Sequence, residues 1–199
     1  MNRFSKAAIL GTTMFVAAGA ASAEIVNADQ LNANETVVEN AMKISNFSTL
    51  VAAVKAAGLA EPLMGEGPYT ILAPTDAAFD KLDDGAVESL MAPENREQLT
   101  GLLQAHVIPG LLTQADIEKL ILEEDVANTG VTVNTVDGEG FTVDTLSSAT
   151  DISFMKEGSG TYVSTTLGGS EAGIKIIEGD IMGSNGVVHV IDGVLMPGK

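Results

Sequence analysis

The chain contains no cysteine. That excludes disulfides, thiolate chemistry and a lipid-modified cysteine behind an export signal. Cations are scarce: ten Lys and Arg stand against 27 Asp and Glu, for a net charge of −17 and a pI near 4.2. Nucleic-acid binding through the phosphate backbone needs a basic face, which this composition cannot supply. Anionic membrane surfaces are disfavoured on the same ground. Aromatics make up only 4% of the chain. There are two histidines, His106 and His189, in separate segments, so no closed zinc-site spacing forms. The sequence has no Gly-x-Ser-x-Gly elbow and no Gly-x-x-x-x-Gly-Lys phosphate loop. Residues 137–140 lack the ligand spacing of an EF-hand. No apolar run beyond the first residues is long enough to span a bilayer, which takes about 20 residues.

The N-terminus has a pattern of its own. Arg3 and Lys6 precede an Ala-rich apolar stretch over 7–18, and Ala21-Ser22-Ala23 is a small-x-small cleavage site. This is the pattern of a secretory signal over 1–23, cut before Glu24. Cleavage removes two cations and no acids, so −17 becomes −19. Residues 24–35 read as a polar arm. The remainder, 36–198, reads as one domain, long enough to rest on its own core without cross-links.

The stretch from Gly186 to Pro197 organises that domain. Val187-Val188-His189-Val190-Ile191 is an aliphatic, β-branched run without clean polar alternation, which predicts a strand buried on both faces. Upstream, the spacing predicts short helices over 36–42, from Ser48 as N-cap to the C-terminal glycine Gly58, after the cap Thr75, over 94–103, and after Thr113-Gln114-Ala115-Asp116. Asp76 favours the first turn after Thr75, and Phe79 and Leu82 face inward together. Strands are predicted over 68–74 and 105–110. From Gly130 onward the texture alternates, with a hairpin signal at Asp137-Gly138 and further strands over 152–155, 162–166 and 174–177. A helical first half against a sheet-rich second half makes the fold class α+β.

Two segments also carry a family resemblance. Tyr69-Thr70-Ile71-Leu72-Ala73-Pro74-Thr75-Asp76-Ala77-Ala78-Phe79 is one. The other runs from Asp180-Ile181-Met182-Gly183-Ser184-Asn185-Gly186 through His189 to Asp192-Gly193-Val194-Leu195. Between them lies Leu103-Gln104-Ala105-His106-Val107-Ile108-Pro109-Gly110. Taken in this order, the chain resembles a fasciclin-type domain, a secreted cell-surface module. The resemblance implies a two-sheet β wedge packed with a cluster of short helices. It also implies contact residues at Asp180, Ile181 and His106, although the family's Tyr before that histidine is Ala105 here. The stretch 147–172 is richer in Gly, Ser and Thr than a minimal domain of this kind and reads as an extra hairpin or long loop, a second candidate contact surface.

The remaining polar positions of the matched segments read as structural. Thr75 and Asp76 cap a helix, Phe79 packs inward, His189 sits in an apolar strand as a satisfied buried group, and Asp192 accepts backbone N–H bonds at a strand end. No catalytic residue, metal or cofactor is expected. Two readings of function follow. The resemblance implies a secreted or periplasmic, non-enzymatic module for cell-surface adhesion or for interaction with a surface protein or glycan, without a membrane anchor. The alternative is a carrier of a lipophilic small molecule such as a carotenoid, which some fasciclin-like proteins hold. Aliphatics and eight methionines could line an adaptable apolar groove for it.

Overall fold

The computed structural model describes residues 31–65, 67–83, 85–121, 133–136, 140–147, 151–158, 160–165 and 173–196. The stretch 1–23 expected as a signal, most of the expected arm, the acidic run 123–125 and the expected Asp137-Gly138 turn lie outside these residues.

Eight strands form one hydrogen-bonded series in the order β2-β1-β8-β7-β6-β5-β4-β3. Near one end of the series, β1 (Tyr69–Pro74) runs parallel to β8 (Gly186–Ile191), with Leu72 opposite His189. β2 (Val107–Pro109) flanks β1, and β7 (Ile174–Gly183) flanks β8, both antiparallel. The series continues antiparallel through β6 (Gly160–Thr165), β5 (Asp151–Glu157), β4 (Gly140–Asp144) and β3 (Val133–Val136).

β7 is the fold line between two leaves. Its first residues, Ile174 and Lys175, pair with β6, whereas Ile176 onward pairs with β8 through two register shifts. Asp180, at φ +58°, sits in the second shift. A residue in left-handed conformation there bends the strand, as bulges do. The result is the expected wedge: leaf one is β2-β1-β8-β7 and leaf two is β7-β6-β5-β4-β3. β7 is therefore longer than the span 174–177 expected from sequence. Glu178-Gly179-Asp180 carries turn chemistry that hides the continuation.

β8, inside leaf one, is covered on both sides, which is why it lacks alternation: all six of its residues are buried. One face of the leaf, with Ala73, Val188 and Val190, packs on helices through Val37, Phe47, Leu50, Leu99 and Leu103. The opposite face, with Leu72, Ile108 and Ile191, meets Ile152, Phe154 and Val163 of leaf two and Ile117. Residues 151–157 and 160–165, within the stretch expected as an extra hairpin or loop, are the paired strands β5 and β6 and supply those core side chains. Deleting 147–172 would thus remove part of the second core along with any contact surface.

The helices are short. α1 (Val37–Lys43) starts with a capping box between Thr36 and Glu39. α2 (Ser48–Ala57) ends at Gly58, φ +75°. α3 (Ala60–Leu63) follows, then α4 (Asp76–Phe79) behind the cap Thr75, α5 (Ala86–Met91) and α6 (Arg96–Ala105). α7 (Gln114–Ile121) is capped reciprocally: Thr113 Oγ1 accepts from the Asp116 N–H and Asp116 Oδ2 from the Thr113 N–H.

Two local expectations are corrected. The strand expected over 105–110 is shorter, because α6 runs through Ala105 and His106 is its C-cap. The apolar run is continuous across that helix–strand junction, so periodicity cannot locate it. Ser48 is not the N-cap of α2. Phe47 holds that place, and the cap comes from 28 residues away. Asp76 Oδ1 accepts from the Thr49 N–H at 2.8 Å, and Oδ2 accepts from the Ser48 hydroxyl at 2.7 Å and its N–H at 3.3 Å. Partial burial opposes ionisation of Asp76, yet the Thr49 and Ser48 donors outweigh it and hold the carboxyl below its usual range. Asp76→Ala is expected to lower unfolding stability by about 1–2 kcal/mol, the range for loss of a helix cap. Urea unfolding of the variant measures this, and a midpoint equal to the parent's would show that the carboxylate contributes nothing.

Candidate functional site

Any site built on the two histidines would need a free ring nitrogen. His106, 2% exposed, ends α6. Its Nδ1 lies 2.8 Å from the Leu102 carbonyl, to which it donates, and its Nε2 accepts from the Leu195 N–H at 3.0 Å. These partners assign the neutral Nδ1–H tautomer. Burial pushes its pKa down to about 4, against the opposing effect of the Leu102 carbonyl. His189, fully buried in β8, donates from Nε2 to the Leu112 carbonyl at 2.7 Å and accepts the Asp180 N–H at Nδ1, 3.4 Å away. Burial lowers its pKa as well, while the Leu112 carbonyl and the Asp180 charge work the other way. Both rings are therefore neutral struts. His106 ties the C-terminal segment to α6, and His189 ties the loop before α7 to the bend in β7. Neither has a nitrogen left for a metal, a nucleophile or a substrate proton.

The three candidate contact residues do not form one surface. Asp180 is exposed, and its Oδ1 accepts the Gln114 N–H at 2.8 Å, at the first residue of α7. Ile181 is 5% exposed and packs in the helix-side core. The strand pleat sends neighbouring side chains to opposite faces, which separates the pair. His106 reaches no surface. Only Asp180 is exposed, so a contact edge made of all three is corrected to one residue.

The positions read as structural have the following partners. Thr75 Oγ1 accepts the Ala78 N–H at 3.2 Å, and Phe79 lies in the core. Asp192 Oδ1 accepts the Lys175 N–H at 3.0 Å. Asn185, which the sequence reading passed over, ties the turn between β7 and β8 to three distant elements. Its Oδ1 accepts from Val37 N–H at 3.0 Å, and its Nδ2 donates to the Leu63 and Gly65 carbonyls at 2.8 and 3.0 Å. No local pattern signals a residue whose partners lie more than a hundred positions away. Among the described residues, no three His, Cys, Asp or Glu side chains gather as metal ligands.

Concavities lie beside this framework. An apolar cleft lies between α1, α2 and leaf one, lined by Val38, Met42, Val51, Val54, Ile71 and Leu103, with a cavity of about 40 Å³. An open groove of about 650 Å³ runs beside the β7–β8 turn, where Met64 and Met182 are exposed.

The Fasciclin domain family model matches residues 45–197, from the turn before α2 to the segment after β8. The chain belongs to the fasciclin domain family. It is 40% identical over 162 residues to protein sll1483 of Synechocystis sp., covering 81% of this chain and 73% of that protein. It is 32% identical over 162 residues to transforming growth factor-beta-induced protein ig-h3 of Sus scrofa; that match takes in 81% of this chain but 19% of the longer protein. Among solved structures, a FAS1 domain pair from the insect cell adhesion molecule fasciclin I matches with a TM-score of 0.48 and 21% identity, covering 73% of this chain and 40% of that one. In this fasciclin domain the matched span begins after α1, so the helix over the apolar cleft lies outside it. Among the described residues, no helix is long and apolar enough to cross a membrane.

Proposed function

We propose that this fasciclin domain is an exported, non-enzymatic binding module that engages a surface protein or glycan. One observation carries the reading: the histidines and carboxylates of the matched segments are already bonded to the domain's own groups. His106, His189, Thr75, Asp76 and Asp192 each serve as a cap, strut or strand-end acceptor. A general base needs a nitrogen or carboxylate within reach of a substrate proton, and these groups are occupied. The N-terminal 1–23 pattern supports export, and the open groove beside Met64 and Met182 and the exposed Asp180 supply partner-facing surface.

The apolar cleft favours a second reading, carriage of a lipophilic molecule. Its lining suits such a ligand, but its volume does not. Ligand sites commonly span about 300–1,000 Å³, so a cavity of about 40 Å³ would have to open by moving α1. Native mass spectrometry with an absorbance scan, on protein purified from its own source, separates the two. The expected result is the bare mass of a chain starting at Glu24, no visible band, and retention of the protein by the source's own cell surface. A stoichiometric adduct or a visible absorption band would overturn the first reading in favour of the carrier.

A further inference from the structure

α5 is amphipathic, yet none of its side chains is fully buried. Val87 and Leu90 touch the helix-side core while staying half-exposed. Beside them an open groove of about 500 Å³ runs between α2, the end of α4 and α5. Leu82, Val87 and Met91 give it a half-buried apolar base, and Asp80, Asp83 and Glu88 stand exposed along it. None of these three carboxylates belongs to an ion pair among the described residues. Lys81, the cation within this stretch, is engaged elsewhere: its Nζ donates to the Asp192 carbonyl at 2.6 Å and lies 3.6 Å from that residue's carboxylate. The groove lining holds no Lys or Arg.

This combination defines what can cover the groove. A purely apolar partner would bury the Leu82, Val87 and Met91 surface but desolvate three unpaired carboxylates, a heavy penalty. A purely cationic partner would pair the carboxylates and leave the apolar base wet, with an attraction that salt screens. Only a segment with both kinds of side chain satisfies both parts. We propose that the α2–α4–α5 groove docks a cationic amphipathic segment of a partner protein, with aliphatic side chains on Leu82, Val87 and Met91 and Lys or Arg beside Asp80, Asp83 and Glu88. The proposal rests on the binding-module reading and names the partner's chemistry.

The test is a fluorescence-anisotropy titration of the full mature protein with a labelled helical peptide of Leu and Lys. Binding is expected at low salt, weakening as salt rises. The triple variant Asp80→Asn/Asp83→Asn/Glu88→Gln is expected to bind roughly tenfold or more weakly, the effect of losing complementary charge at a contact. A control triple of equal charge change, Glu61→Gln/Glu118→Gln/Asp144→Asn, compared at about 0.15 M salt where screening acts over about 8 Å, should stay within about twofold of the parent, since none of its residues lines the groove. A Ser/Lys peptide of equal charge should bind roughly tenfold more weakly than the Leu/Lys peptide, having no side chains for the base. Equal losses in both triples would reduce the effect to net charge and overturn the proposal. So would a Ser/Lys peptide binding as tightly as the Leu/Lys one, or a parent protein that binds neither. Circular dichroism confirms that both triples are folded; all six side chains lie at or near the surface. A bound chromophore would defeat the binding-module reading without altering this titration, so the two failures are distinguishable.

Discussion

A Gly186→Ala protein is expected to yield no folded product. A Cβ built at Gly186 lies 2.0 Å from the Tyr69 carbonyl oxygen, 2.9 Å from its carbon and 3.0 Å from its nitrogen. All three are backbone atoms of the residue paired with Gly186 in the parallel β1–β8 ladder. A flexible side chain would swing aside, but these atoms can move only if β1 and β8 separate. Those strands carry Leu72, Ala73, Val188, Val190 and Ile191 into both cores. The loss is therefore at least ~4 kcal/mol, in the range reserved for severe steric and core damage, against a total of about 5–15 kcal/mol for an ordinary domain. Soluble yield and circular dichroism at 25 °C measure the outcome. Gly101→Ala is the matched control: Gly101 lies in α6 with nothing within 4 Å of its built Cβ, and the change should stabilise by up to ~1 kcal/mol through helix propensity. A folded Gly186→Ala protein within ~1 kcal/mol of the parent would refute the close approach of the two strands.

The second large effect is loss of stability in mild acid. His106 has a folded pKa of about 4 against an unfolded value of 6.5. Its contribution is fully present above pH 6.5, because there both states are neutral. Between pH 6.5 and 4 the unfolded chain takes up a proton that the folded protein refuses, so stability falls as pH falls. The shift corresponds to about 3 kcal/mol over the whole window, with about 2 kcal/mol of that already lost by pH 5. His189, lowered for the same reason of burial, adds to the loss in the same direction. Asp76 acts in a separate window. Its carboxyl is held below 3.8, so its contribution persists through the histidine range and disappears only in stronger acid. Protonation of surface carboxylates on a chain this acidic eases self-repulsion below about pH 5, so the interval from 6.5 to 5 isolates the histidines. Denaturant unfolding at pH 7.5 and 5.0 should show the drop; the imidazole C–H resonances of His106 should titrate around pH 4, and those of His189 below the ordinary histidine range. An imidazole midpoint near 6.5 for either ring would contradict the buried, neutral assignment.

Much of this architecture is visible in the sequence because the signals are local. The unbroken Val187–Ile191 run announces a strand covered on both sides, and two opposite cores cover it. Thr75, Gly58 and the Thr113–Asp116 pair act at helix ends a few residues away, within reach of pattern reading. Most of the misreadings come from partners distant in sequence, the others from local patterns that hide an element boundary or a change of face. Asp76 begins one helix and caps another. Asn185 ties its turn to Val37, Leu63 and Gly65, and no residue near it in sequence hints at those bonds. His106 follows a helix without any break in the apolar run. Ile181 fails as a contact residue because one step along a pleated strand exchanges surface for core. The groove between α2, α4 and α5 has no local signature either: Asp80, Asp83 and Glu88 line it only once α2 is packed beside α4 and α5.

The position of β8 also has a kinetic consequence. More than half the chain lies between Tyr69 and its ladder partner Gly186. Closing so long a loop before any contact rewards it makes folding slow. β8 is also the last strand among the described residues, and both cores need it. A polypeptide that emerges N-terminus first, whether from a ribosome or a translocation pore, presents the residues of α1 to α7 early but cannot seal either core until β8 arrives. Up to that moment it remains threadable, and after it the domain can close cooperatively around its last-made strand.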